Sequence, residues 1–220
     1  MSTEEQGPRE RLIDAAGEVF AEHGFHAATI REITRQAGVN VAAVNYYFRD
    51  KEELYSATLK HAHRSACTLV PGDAEALPPE ERLHYFVRAL LSRFLDPLRP
   101  KWHGQLMARE MASPTPMLRH LIDEVFRPNC RWLSALLQEL GGGRFDAEQL
   151  EYLTTSVLGQ CVFYRQNRPI IQSISPELLG RDGLVDRLAR HITDFSLAAI
   201  RNLPLAKPKK QNHERLAEPR

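Results

Sequence analysis

Long apolar runs are missing from this sequence. Nowhere do roughly eighteen apolar residues follow one another, so no segment is expected to cross a bilayer as a helix. The opening MSTEEQGPRE is polar and acidic rather than basic and then apolar, which argues against a secretory leader and for the cytoplasm. Cysteine is scarce. Cys67, Cys130 and Cys161 are an odd, widely spaced set within apolar helical patterns, so buried free thiols are expected rather than a disulfide framework. Excess charge of one sign is lacking too: 29 Lys and Arg face 28 Asp and Glu, a formal +1. That balance does not advertise a nucleic-acid binder, yet it leaves one possible, because only the stripe facing the phosphates matters. Alternating β-branched stretches are absent, and so are a Gly-rich phosphate loop, a nucleophile elbow and an HExxH element. The nine histidines form no zinc-type cluster: His61 and His63, two apart, point to different sides of a helix, and His23 and His26 merely flank Gly24. No catalysis, metal or cofactor is expected.

What is present is helix after helix, broken by Pro, Gly and short polar stretches. An all-α protein is expected: an N-terminal three-helix helix-turn-helix domain over 1–52, a helical ligand-binding and dimerisation domain over 53–203, and a disordered tail over 204–220. The tail carries Lys207, Lys209, Lys210, Arg215 and Arg220 among Pro204, Pro208 and Pro219, with little to bury. Leu12, Ile13, Ala16, Val19 and Phe20 recur at helical spacing over 9–23, and Gly24 is suited to stop that helix. Thr29 can cap a second helix, with Glu32 completing a capping-box pattern. Gly38 ends it, and a short third helix runs over 41–48. Ile33, Ala37, Val44 and Phe48 read as core. Asp50 and Glu53 repeat the box at the start of a fourth helix, whose apolar side is Leu54, Ala57, Leu59 and Ala62. The turn-rich VPGDAEALPPEE separates head from body, where helices are expected over 79–95, 102–112, 114–140 with a kink at Pro128, 146–167 and 182–202.

Two helices joined by a short Gly-containing turn form a helix-turn-helix, which sets its second helix in the major groove. That helix needs small residues for close approach, polar groups for base edges and hydroxyls for phosphates. Val41, Ala42 and Ala43 supply small surfaces and methyls, Asn45 can pair two-pronged with adenine, and Tyr46 and Tyr47 can reach phosphates. Thr29, Arg31 and Arg35 before it and Lys51 after it are placed to position the backbone. One of the two tyrosines packing on the first helix is the competing structural role.

The run TIREITRQAGVNVAAVNYYFRDKEEL, residues 29–54, preceded by RERLIDAAGEVFAEHGF, resembles the DNA-binding domain of the TetR family of regulators. The resemblance implies a homodimer on palindromic double-stranded operator DNA, acting as a repressor released by a small-molecule ligand. It carries DNA contact onto Thr29, Arg31, Val41, Ala42, Ala43, Asn45, Tyr46, Tyr47 and Lys51. Many members hold a tyrosine where this chain has Asn45, so base preference is not transferable. The body patterns GQLMAREMASPTPMLRHLIDEVFRPNC, residues 104–130, and GQCVFYRQNRP look like one TetR subgroup with a poorly characterised drug-responsive or stress-responsive C-terminal domain.

By that likeness, the last two long helices are expected to dimerise through Leu150, Leu153, Val157, Leu158, Cys161, Leu184, Leu188, Ile192, Phe195 and Leu197. A ligand cavity is expected from Phe94, Trp102, Met107, Met111, Phe126 and Phe163, with His103, Arg109, Glu110 and Arg165 as polar anchors. The alternatives are a helical protein-interaction module and an activator on the same fold.

Overall fold

The computed structural model describes residues 7–64, 75–96, 98–180 and 182–204. Cys67, the first part of the linker (70–74) and the tail from residue 205 lie outside them. Among the described residues all regular structure is helical, and no helix is long and apolar enough to cross a membrane.

The head is built on α1 (Pro8–Ala27), α2 (Ile30–Ala37), α3 (Ala42–Phe48) and α4 (Lys51–Arg64). Leu12, Ile13, Ala16, Val19 and Phe20 of α1 are buried against Ile33, Ala37, Val44 and Phe48, as their spacing predicts. Gly24 interrupts α1 rather than ending it: its φ of 78° and ψ of 171° fall where only glycine sits comfortably, and one further helical turn follows. Thr29 caps α2 by accepting the Glu32 N–H at 3.2 Å, and Asp50 caps α4 by accepting that of Glu53 at 2.8 Å. The acids do not return the bond as a capping box would. Glu32 reaches His23 at 3.4 Å and Glu53 reaches Arg49 at 3.4 Å, because an oppositely placed nitrogen competes for each carboxylate.

The body comprises α5 (Pro79–Leu95), α6 (Lys101–Ala112), α7 (Met117–Leu121), a π-helical turn (Ile122–Phe126), α8 (Arg127–Leu140), α9 (Ala147–Gln166), α10 (Arg168–Ile174), α11 (Pro176–Leu179) and α12 (Leu184–Asn202). The single long helix expected over 114–140 is thus three pieces. Pro128 cannot donate to the ladder and crowds the preceding turn, and the chain opens into the wider turn just upstream before α8 resumes. The short α10 and α11 have no counterpart in the sequence reading. Asp146 and Gln149 make a reciprocal capping box at the start of α9.

Two cores result. The second joins α5, α8, α9 and α12 through Leu83, Phe86, Leu91, Leu133, Leu137, Val157, Ala189 and Ile192. The first does not stop at the head: Trp102, Leu106 and Met107 of α6 and Leu121 and Val125 complete it. Gly17 makes this docking possible, since a Cβ there would stand 2.3 Å from the Trp102 ring. The expected domain division at 52/53 falls inside α4, whose Leu54, Tyr55 and Leu59 belong to that shared core.

The expected dimer residues need correction. Leu153, Val157, Cys161, Leu188, Ile192 and Leu197 are buried within the chain, and Leu150, Leu158 and Leu184 are half-buried against the same core. Phe195, at 60% exposure, is the one of the ten that faces out. An amphipathic helix in a bundle spends its most apolar stripe on its own chain, and the reading took that stripe for the outer one.

Candidate functional site

The α2–α3 turn depends on Gly38, whose φ of 62° and ψ of 39° close α2 in left-handed geometry. Asn40 then accepts the Ala42 N–H at 2.9 Å and starts α3. Because Val44 and Phe48 are buried, the opposite side of α3 faces outward at helical spacing: Ala42, Asn45 and Tyr46, with Val41 just ahead of them. Tyr46 is 82% exposed. Tyr47 is half-buried against the head core, edge-on to Tyr46 with ring centroids 4.8 Å apart, so the packing role falls to Tyr47. Ala43 is also half-buried on that core.

Thr29 and Arg31 are exposed at the start of α2, with Arg35 one turn on. Lys51 is less free than the sequence suggests. Its ammonium bonds the His26 carbonyl at 3.3 Å and lies 4.8 Å from the Phe25 ring centroid, tying the end of α1 to the start of α4. Between α3 and α4, Arg49 has φ 60° and ψ −53°, and the Asp50 N–H reaches back to the Phe48 carbonyl at 2.5 Å. This γ-turn is costly for a residue with a Cβ, and it sits beside the outward face of α3.

A partly open cavity of about 270 Å³ lies between the end of α4 and α5, α6, the π-helical turn, α8 and α9. Its apolar wall includes Phe86, Leu90, Phe94, Met107, Phe126, Leu158 and Val162, with Ala108 and Met111 exposed on α6. Its polar atoms come from His63, Arg93, Asn129, Arg165 and Gln166, and the half-buried Cys130 joins them. The Arg93 and Arg165 guanidiniums lie 5.7 and 5.2 Å from the Phe94 centroid. Arg165 also donates to the Gly104 carbonyl at 3.4 Å, and burial pulls its pKa below the ordinary arginine value. His63 lies edge-on to Phe126 with centroids 5.0 Å apart. Burial, reinforced by Arg93, Arg99 and Arg165, lowers its pKa to about 3, so its imidazole is neutral at pH 7.

Five of the ten expected cavity residues line it: Phe94, Met107, Met111, Phe126 and Arg165. The other five are engaged elsewhere. Trp102 lies on Gly17, and His103 stacks edge-on against it at 4.1 Å while accepting the Arg99 Nε–H at 2.8 Å. Arg109 donates to the Glu22 carbonyl at 2.8 Å and pins α6 to α1. Glu110 is fully buried and accepts from the Tyr55 hydroxyl at 2.6 Å and from the Thr115 N–H and hydroxyl at 2.9 and 2.8 Å. Phe163 faces outward, on the side of α9 that forms a groove with His191 of α12.

Tryptophan, methionine and an acid on α6 pointed to a pocket, but this helix packs one side on the first core and only the other borders the cavity. The residues missed, His63 and Arg93 above all, could be flagged only as polar positions within otherwise apolar stripes. Cys161 is buried in the second core, where burial pushes its thiol up to about 12; that accords with an inert packed cysteine.

Comparison with known proteins identifies the family. Residues 12–58 match the model of the bacterial regulatory proteins, tetR family. Residues 79–200 match the C-terminal domain of the HTH-type transcriptional dual regulator CecR. The HTH-type transcriptional regulator BetI of Escherichia coli O17:K52:H18 (strain UMN026 / ExPEC) is 40% identical over 133 residues, 54% of this chain and 68% of that protein. Among solved structures, the fatty acid degradation regulator FadR of Bacillus halodurans superposes with a TM-score of 0.62 at 20% identity, covering 86% of this chain and 97% of that one. FadR of Bacillus subtilis, in complex with stearoyl-CoA, gives 0.62 at 18% identity, again covering 86% and 97%. A TetR-like regulator from Rhodococcus sp. RHA1 gives 0.59 at 17%, covering 89% of this chain and 97% of that one. These likenesses show the fold, and the two family matches together span head and body. The chain belongs to the TetR family and is a DNA-binding transcriptional regulator whose helical body is of the CecR C-terminal type.

Proposed function

We propose that this regulator is a repressor that binds a palindromic operator as a homodimer in the cytoplasm and is released by a small molecule held in the body cavity. The observation that carries the reading is the position of α4. It begins directly after the α3–α4 turn and ends with His63 in the cavity wall, so one rigid element connects the reading helix to the ligand space. Asn45 and Tyr46, with Ala42, are the base-facing and phosphate-facing groups. Val41 and Ala43 allow close approach and apolar contact with thymine methyls, and Thr29, Arg31, Tyr47 and Lys51 hold the head on the backbone.

The head, α1 to α4, reads DNA, and the body from α5 onward takes the second copy and, together with the end of α4, the ligand. The outward aromatics Tyr152 and Phe163 of α9 and Phe195 of α12, at 64, 51 and 60% exposure, are the surface for that copy. The acyl-CoA held by a fold neighbour supports a ligand role for the body. Two recognition helices must stand about one helical turn apart, roughly 34–36 Å. A ligand preferring another body conformation shifts the population away from that spacing; one that binds both states equally changes nothing.

The test is selection and sequencing of bound random duplexes, followed by salt titration of the enriched site. A palindrome whose affinity falls steeply with salt is expected. Asn45→Ala relaxes preference at one symmetric base position and costs about 1–3 kcal/mol, whereas Tyr46→Phe weakens all sequences alike. Enrichment of no sequence refutes the operator reading.

A further inference from the structure

The cavity wall is electrostatically one-sided. Two arginines, Arg93 and Arg165, line it, and no Asp or Glu is among its described lining residues. Arg165 is half-buried. Its pKa is pulled down by burial alone, with no carboxylate acting in the opposite direction. A third guanidinium, Arg99, stands behind this wall, donating to the Arg93 carbonyl at 3.1 Å. The acid that acts on it is Asp96, which does not line the cavity. A guanidinium such as that of Arg165, held in an apolar wall with no Asp or Glu among the described lining residues, favours an anion entering beside it.

A second, independent observation lies at the same wall. His63 is 3% exposed and its Nδ1 has no hydrogen-bond partner, although it borders the cavity. A buried polar nitrogen left unsatisfied costs free energy that a bound group can recover, and a neutral imidazole protonated at Nδ1 donates to an oxyanion. The rest of the wall is aromatic and aliphatic. At about 270 Å³ the space is close to the small end of ligand sites, which run from roughly 300 to 1,000 Å³.

Resting on the reading that this cavity holds the effector, we propose that the effector is a compact amphipathic anion. Its apolar body lies against Phe86, Leu90, Phe126 and Val162, and its single carboxylate-like group is seated by Arg165, Arg93 and the Nδ1 of His63. The same contact explains how binding is sensed, because His63 is on the last turn of α4 and Phe126 closes the π-helical turn, which α4 also grips through the 2.8 Å Lys60–Glu124 ion pair. An anion drawn between α4 and α9 acts on the helix that carries the DNA head.

The test is titration calorimetry of the full chain with octanoate, octanol and octylammonium, which share one apolar body and differ in charge. Octanoate is expected to bind about tenfold or more tightly than octanol, and octylammonium more weakly than either. Arg165→Gln removes most of the octanoate advantage while octanol binding persists, and Arg165→Lys keeps part of it; circular dichroism checks that both variants fold. Gln166→Glu, a change at an exposed rim position, weakens octanoate and strengthens octylammonium.

Octanol or octylammonium binding as tightly as octanoate overturns the proposal, as does failure of all three to bind protein that still selects its DNA site. Selective octanoate binding that leaves DNA affinity unchanged upholds the anion site and refutes ligand release instead.

Discussion

Arg49 is the residue at which the backbone departs furthest from what its side chain prefers. It is the single non-glycine residue with positive φ among those described, it is held in a γ-turn, and it links α3 to α4. Strain of this kind costs of order 1–3 kcal/mol and persists where the surroundings demand it. Arg49→Gly is therefore expected to raise stability by about 1 kcal/mol after the extra chain entropy of glycine, a shift of a few degrees in Tm. Arg49→Ala, which keeps the Cβ, gains nothing. Thermal melts of both variants check this, and equal melting temperatures would remove strain as the explanation.

The Arg49 conformation was not legible in the sequence, because FRDK contains no glycine to mark a left-handed residue. Asn45 and Tyr46 were legible: a seven-residue helix that buries Val44 and Phe48 has little choice about which side it shows.

Elements are tied across the head–body junction by polar groups as well as by the Trp102–Gly17 contact. The Tyr55 hydroxyl of α4 donates to the buried Glu110 carboxylate of α6, and burial together with that acid raises the phenol pKa well above the ordinary tyrosine value. Glu110 keeps its Thr115 bonds if the hydroxyl is lost. Tyr55→Phe should thus cost about 1–3 kcal/mol, close to the value of a charge-assisted hydrogen bond, and leave the secondary structure intact. Urea unfolding of the variant measures it; a loss below a few tenths would mean that the bond contributes nothing net.

The junction also explains why α6 misled. Its Trp102, His103, Arg109 and Glu110 are drawn to α1, α4 and their neighbours, while Met107, Ala108 and Met111, on another side, line the cavity. Periodicity gives the number of faces on a helix but not the partner of each.

For the molecule as a whole, the buried histidines set a pH dependence. His63 is lowered to about 3 by burial and by Arg93, Arg99 and Arg165, and His103 to about 4 by burial, Arg99, His61 and Arg165. Both folded-state values lie below the unfolded value near 6.5, so below that pH the unfolded chain takes up protons that the folded chain refuses. Stability is complete above about pH 6.5 and declines as the pH falls toward 4, by at most about 1.4 kcal/mol per pH unit for each histidine. His63→Gln should flatten the decline by up to one proton's slope. Unfolding at pH 7.5 and pH 5.0, at one protein concentration, tests it; an unchanged slope would assign the dependence to other groups.

Local rules of period, caps and turn residues sufficed for the helical class, the helix-turn-helix and its outward face, and most helix boundaries. Pro128 announced a break between α7 and α8, though not the π-helical turn that accommodates it. Packing of the whole chain decided which apolar stripe of α9 and α12 is buried within it, and that α6 sits on the first core and turns another side to the cavity. It also decided that His63, Arg93 and Arg165, from three helices far apart in sequence, meet at one cavity. Burial and the convergence of distant charges belong to the packed molecule, and no window along the chain contains them.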